Sequence, residues 1–186
     1  MLRSSAAPLC PVVLPFMGRQ KYMHGFDVAN PTMPEGFEDY LAVVESLLSS
    51  AGITSGEAFM TVDEKALKAG ETQRKPGPHV DGKFNRAALK WGGGGGWNHS
   101  CNILPVARTP VIVASSFQAC RAWLGDFDAT PNEHGGLEHI QDQLGSGVML
   151  DANMGYYLSP DCIHESLPMP HDVERTFLRI ALPANG

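Results

Sequence analysis

The tightest grouping of residues that could do chemistry is Pro78-His79-Val80-Asp81-Gly82. In an extended strand, residues two apart point to the same face. His79 and Asp81 therefore aim at one point, and Val80 turns the other way. An imidazole nitrogen and a carboxylate oxygen converging in this way suit a divalent metal. A third ligand must come from elsewhere in the chain. His164 is the best candidate, because it follows the strand-like Tyr156-Tyr157-Leu158 and precedes a proline-rich turn. His24, His99, His134, His139 and His171 lie in stretches that read as loops and are expected to be solvated or locally bonded.

Two imidazoles and one carboxylate on one face of a metal leave three coordination positions open, the arrangement of non-haem iron(II) oxygenase sites. The C-terminal run adds a second component. Arg175 to Leu182 reads as a strand in which Thr176, Leu178, Ile180 and Leu182 share an apolar face and Arg175, Phe177 and Arg179 share the other. Two arginines on one face of an apolar terminal strand are costly to bury without an anion. A guanidinium fork takes a carboxylate through two parallel hydrogen bonds. Tyr156 and Asn102 sit on strand-like runs that could face the same pocket, so either is a candidate hydrogen-bond donor to a small acid. Gln73, Arg74 and Lys75, just ahead of the metal strand, are candidates for its entrance.

Taken in order, Pro78-His79-Val80-Asp81-Gly82, Gly147-Val148-Met149-Leu150, Tyr156-Tyr157-Leu158, His164-Glu165-Ser166-Leu167-Pro168 and Arg175 resemble the iron(II)- and 2-oxoglutarate-dependent oxygenases over roughly residues 73–183. The resemblance implies a double-stranded β-helix, the jelly roll of cupin-like barrels. It implies Fe(II) held by His79, Asp81 and His164, and 2-oxoglutarate whose far carboxylate rests on Arg175, with Arg179 sharing that task or touching substrate. It implies dioxygen as the oxidant, succinate as the product of the co-substrate, ascorbate as a candidate reductant, and a small molecule or peptide side chain as the group hydroxylated. A carboxylate at Asp81 implies hydroxylation rather than halogenation, since the family's halogenases carry a small residue there. Phe177 stands where the family often has Ser or Thr.

The rest of the sequence must position these groups. Its 186 residues suit a single domain with a sizeable core. The 20 Gly and 14 Pro cut the chain into short pieces, which favours strands and loops. The expected class is mainly β with flanking helices. Residues 1–72 would form an N-terminal arm and helical support, and residues 73–183 the β-rich core. Met17 to Pro34 reads as an extended arm or loop. Gly36 to Ala51 is the best helix, with Phe37, Leu41, Val44 and Leu48 at helical spacing and Gly52 placed to cap it. Asp63 to Ala69 reads as one or two further helical turns. Short apolar runs at Ile103–Val106, Pro110–Ala114, Gly147–Leu150, Tyr156–Leu158 and Arg175–Leu182 have strand length.

A formal charge of -6 argues against a general nucleic-acid surface. No window approaches a membrane span. Cys10, Cys101, Cys120 and Cys162 are too widely spaced for a zinc or disulfide framework, which points to reduced thiols and the cytoplasm. The run Gly92–Gly96 between Trp91 and Trp97 is either a lid over the site or a plain hairpin tip. Two competing readings remain open: a cupin-like metal enzyme that needs no 2-oxoglutarate, and a non-catalytic β-sandwich binding module in which His-x-Asp is accidental.

Overall fold

The computed structural model describes residues 1–81, 84–85, 90–91, 109–132 and 134–182, the short pieces at 84–85 and 90–91 as backbone only. The chain is mainly β, with antiparallel sheets and two short helices. In chain order the strands are β1 (Leu2–Ser4), β2 (Ala6–Pro11), β3 (Gln20–Asp27), β4 (Glu57–Leu67), β5 (Phe84–Asn85), β6 (Lys90–Trp91), β7 (Val111–Ser115), β8 (Cys120–Trp123), β9 (Gly125–Phe127), β10 (Val148–Leu150), β11 (Met154–Leu158), β12 (Ile163–Ser166) and β13 (Val173–Ala181). The helices are α1 (Leu41–Ser50) and α2 (Gln141–Leu144), each preceded by a short 3-10 turn. No helix among the described residues is long and apolar enough to cross a membrane.

Six strands form the larger sheet in the order β2-β11-β7-β13-β4-β3. A smaller sheet runs β10-β8-β12 and is extended by His79, which bridges His164 on β12. The two sheets face each other. Phe59, Val113, Tyr156, Phe177 and Ala181 from the larger sheet meet Ala122 and Leu150 from the smaller one in a buried cluster. On the outer face of the larger sheet, Met60, Val62, Ile112, Leu178 and Ile180 pack against Tyr40, Val44, Leu47 and Leu48 of the α1 region. Outside the smaller sheet, Val80, Trp123 and Ile163 pack with Leu137, Ile140 and Leu144 of the α2 region. His79 and His164 lie on the inner side of the smaller sheet, between two layers that cannot drift apart without opening both cores.

β13 sits between β7 and β4, and its two faces divide as alternation predicts. Leu178, Ile180 and Leu182 join the α1 cluster, whereas Phe177 and Ala181 face the smaller sheet. Helix α1 also follows its periodicity. Gly52, at φ +70°, donates to Ser49 O at 3.0 Å, and Ile53 N–H donates to Leu48 O at 3.0 Å. These are the paired bonds of a Schellman cap, which needs a residue free to enter the left-handed region.

Two expectations are corrected. Asp63 to Ala69 is not helical, because β4 runs through Leu67 as the neighbour of β13 in a nine-residue register. Residues 58–64 are buried on both faces, so the period-two signal of a half-buried strand is lost. Within the expected arm from Met17 to Pro34, Gln20–Asp27 is an edge strand paired to β4 with an irregularity between Lys21 and His24. The prolines of the first residues are also compatible with pairing: Pro8 and Pro11 fall on β2, the opposite edge, where a missing N–H costs no ladder bond.

The polar side of β4 is held by charge. Glu64, with no exposed side chain, accepts from Met17 N–H (2.6 Å), Arg19 N–H (2.9 Å), Arg19 Nη2 (2.8 Å) and Tyr40 Oη (2.7 Å). Burial alone would push this carboxyl up, but Arg19 and the hydrogen bonds from Tyr40 and Met17 outweigh it and hold it at about 2. The folded value lies below the ordinary 4.5. The stabilisation is therefore complete above that ordinary value and is lost as pH falls from about 4.5 toward about 2. Glu64→Gln is expected to remove on the order of 3 kcal/mol at neutral pH and to flatten the acid limb of stability against pH. Urea unfolding from pH 2 to 7 checks both.

Gly155 on β11 lies under α1. A Cβ there would overlap the Leu47 side chain and reach 3.5 Å from Cys10 O. Gly155→Ala should destabilise by about 1–3 kcal/mol through overpacking, measured by denaturant unfolding.

Candidate metal centre

His79 enters the site from a short extended segment clamped on both sides. Its N–H donates to His164 O at 3.0 Å, and His164 N–H returns a bond to His79 O at 2.9 Å. On the other side Val80 N–H donates to Gly135 O at 3.0 Å, and Leu137 N–H donates to Pro78 O at 2.8 Å. His79 and His164 thus form a cross-strand pair, with ring centroids 4.5 Å apart. Val80 is fully buried in the outer cluster, so Asp81 returns to the side of His79 as strand geometry requires. The ligand atoms offered by His79, Asp81 and His164 all lie within 4.8 Å of one another. His164 Nε2 is 4.0 Å from Asp81 Oδ1.

The donor set fits a metal ion. His79 Nδ1 lies 2.8 Å from Gly77 O, and His164 Nδ1 lies 3.0 Å from Cys162 O. A carbonyl only accepts, so each Nδ1 donates, and Nε2 is the atom each ring can offer to a ligand. Burial, and then the neighbouring His164, push the His79 imidazole below its ordinary value, so it is neutral at physiological pH. Asp81 Oδ2 is buried without a hydrogen-bond partner. A buried carboxylate oxygen left in that condition is costly unless something else satisfies it, and a cation would. Burial tends to raise the Asp81 carboxyl, but Arg179, then His164 and His79, more than offset this and keep it low. Asp81 is therefore an anion beside a neutral His79 imidazole, the state in which both can ligate.

The trio opens into a cavity of about 290 Å³. Arg74, Lys75, Val113, Cys120, Ser166, Phe177 and Arg179 contribute to its wall. Arg179 Nη1 stands 3.5 Å from Asp81 Oδ1. Arg175 lies one layer behind the wall with no exposed surface. Its Nε donates to Ser115 Oγ at 2.8 Å, Nη2 to Cys120 Sγ at 3.2 Å, and Nη1 approaches Ser166 Oγ at 3.5 Å. Among the described residues, no carboxylate pairs with it. Burial pushes the Cys120 thiol up, against the pull of Arg175, so the thiol gives the guanidinium no compensating charge.

Tyr156 is placed elsewhere. Its hydroxyl donates to Asp151 Oδ2 at 3.2 Å and accepts from Asp151 N–H at 3.1 Å, and its ring borders a small adjoining pocket with Leu150 and Met154, across the shared wall of Val113, Cys120 and Phe177. Asn102, the run Ile103–Val106, and Gly92–Gly96 with Trp97 lie outside the described residues. Trp91 is described only through the backbone pairing of β6 with β5.

Ser166 and Cys120 were not singled out from the sequence. Ser166 had a signal, since it lies two residues beyond His164 and so on the same strand face. Cys120 had none, because its place opposite Ser166 on β8 depends on a pairing between distant segments. Set against known proteins, the chain matches no family model, no curated protein and no solved structure.

Proposed function

We propose that this chain is an Fe(II)- and 2-oxoglutarate-dependent oxygenase, built on a double-stranded β-helix and working in a reducing cytoplasm. The observation that carries the reading is the combination in one cavity of two imidazoles and an incompletely satisfied aspartate, with a buried arginine directly behind the wall that meets no carboxylate among the described residues. His79, Asp81 and His164 would hold the metal. With dioxygen and 2-oxoglutarate, iron in such a site supplies the oxidising power to hydroxylate an unactivated C–H bond, releasing succinate and carbon dioxide.

The chain's own residues bind, orient and exclude. Gly77 O and Cys162 O fix the two imidazole tautomers. Arg175 is the seat for the distal carboxylate of 2-oxoglutarate, reached when the Cys120 thiol turns aside. Ser115 and Ser166 hold its guanidinium in place for that contact. Arg179, beside Asp81, balances the charge of the ligand carboxylate. Val113 and Phe177 present apolar surface and keep the wall dry.

The test is succinate release from 2-oxoglutarate in the presence of Fe(II), oxygen and ascorbate, screened across small acids, amines and peptides. Release that requires both Fe(II) and a particular added substrate supports the reading. Tight metal binding without any dependence on 2-oxoglutarate would move the assignment to a cupin-like metal enzyme.

A further inference from the structure

We infer that the substrate of this cavity is a small organic acid, and that Arg74 and Lys75 are the residues that receive its carboxylate. The inference rests on the metal-site reading above. It begins with the charge on the wall. The described lining carries the cations Arg74, Lys75 and Arg179 against the carboxylates Asp81 and Glu165. Glu165 is already engaged by an ion pair with Arg121. Asp81 is the proposed metal ligand and faces Arg179. A divalent ion in the trio adds two further positive charges. One dicarboxylate co-substrate cancels two, and Asp63, outside the lining and 3.6 Å from Arg74, offsets one more, which leaves one net positive charge on the side of Arg74 and Lys75. A cationic pocket with apolar walls concentrates anions and discriminates against neutral ligands of the same shape.

The two cations are held in place but incompletely paired. Arg74 N–H approaches Ser166 Oγ at 3.4 Å, and Ser166 N–H donates to Lys75 O at 3.1 Å. Both residues are thereby tied to the strand that carries His164. The Arg74 guanidinium lies 5.4 Å from the centroid of the Phe177 ring, which orients it on the cavity wall. Its carboxylate neighbour, Asp63, is 3.6 Å away, and neither oxygen of that fully buried side chain has a hydrogen-bond partner. Asp63 therefore holds Arg74 by charge and leaves its N–H donors available. Lys75 Nζ donates to His134 O at 2.9 Å, and among the described residues no carboxylate lies within ion-pair distance of it. A ligand carboxylate would complete both groups, bidentately at Arg74 and as a point contact at Lys75.

The test uses binding, so that it does not depend on turnover. Protein is loaded with Mn(II) and excess 2-oxoglutarate, and titrated with benzoate and with benzamide, a pair matched in shape and differing in charge. Binding is read from paramagnetic relaxation of the probe protons. Benzoate is expected to bind at least about tenfold more tightly than benzamide, the scale of one charge-assisted contact. In Arg74→Gln the preference should shrink to about threefold or less, with the Mn(II) dissociation constant unchanged. Lys75→Gln, which leaves the Asp63–Arg74 contact intact, should also reduce the preference and serves if Arg74→Gln folds poorly. Equal binding of the two probes, no benzoate binding at millimolar concentration, or an undiminished preference in a folded variant overturns the inference. Failure of Mn(II) itself to bind would instead overturn the metal-site reading.

Discussion

His164→Ala is expected to abolish tight metal binding and iron-dependent turnover while leaving the fold in place. The His164 side chain donates to Cys162 O and is only partly buried, whereas its backbone carries the two bonds to His79 that close the smaller sheet. Alanine keeps those backbone bonds and removes only the ligand. Loss of an outer-sphere partner of a ligand already costs 10–100-fold in metal affinity, so loss of one ligand of three should exceed about 100-fold. His79→Ala should match it in metal affinity. Asp81→Ala should do so as well, but it also removes the carboxylate facing Arg179 and should cost more stability than either histidine change. Asp81→Gly has a second expected outcome, an open coordination position that accepts halide. Calorimetric titration with Fe(II) under argon, with circular dichroism as the control for folding, separates ligand loss from unfolding. Wild-type affinity in His164→Ala would remove it from the site.

Arg175→Met is expected to weaken 2-oxoglutarate binding by roughly 30- to 1,000-fold, with far less effect on metal affinity. The magnitude is that of truncating one partner of a buried charge-assisted pair, on the order of 2–5 kcal/mol. Methionine is chosen because Arg175 is wholly buried, and alanine would add a cavity penalty to the measurement. Arg179→Met is the comparison. Arg179 borders the cavity directly, while Arg175 is screened by Cys120 and Ser166. If the loss follows Arg179, the carboxylate anchor lies one inward step further along β13 and the family assignment stands. If neither substitution matters, 2-oxoglutarate has no seat here and the cupin-like alternative gains.

The proposed ligands were legible because strand geometry is local. Within His79-Val80-Asp81, and again within Arg175 to Leu182, alternation alone separates the faces, and the burial of Val80 and Leu178 follows it. Helix α1 and its Gly52 cap were legible for the same reason at a period of 3.6. Strand geometry could not bring His164 to His79, since 84 residues lie between them and their pairing is a property of the assembled sheets; His164 was singled out only by its flanking motifs and the resemblance they carry. β4 was missed because Thr61, Asp63 and Glu64 are polar yet buried, held by partners as distant as Arg19 and Arg74 rather than by hydropathy. Arg175 could be placed on the inward face, but its screening by Cys120 depends on where β8 lies.

The most direct test of the central claim is an anaerobic titration with Fe(II), followed by 2-oxoglutarate, on the wild-type protein and His164→Ala. The account predicts one equivalent of Fe(II) bound to the wild type, then one equivalent of 2-oxoglutarate whose binding requires the metal, and neither event in the variant. Absence of stoichiometric Fe(II) binding to the wild type, or identical titrations of the two proteins, would contradict it.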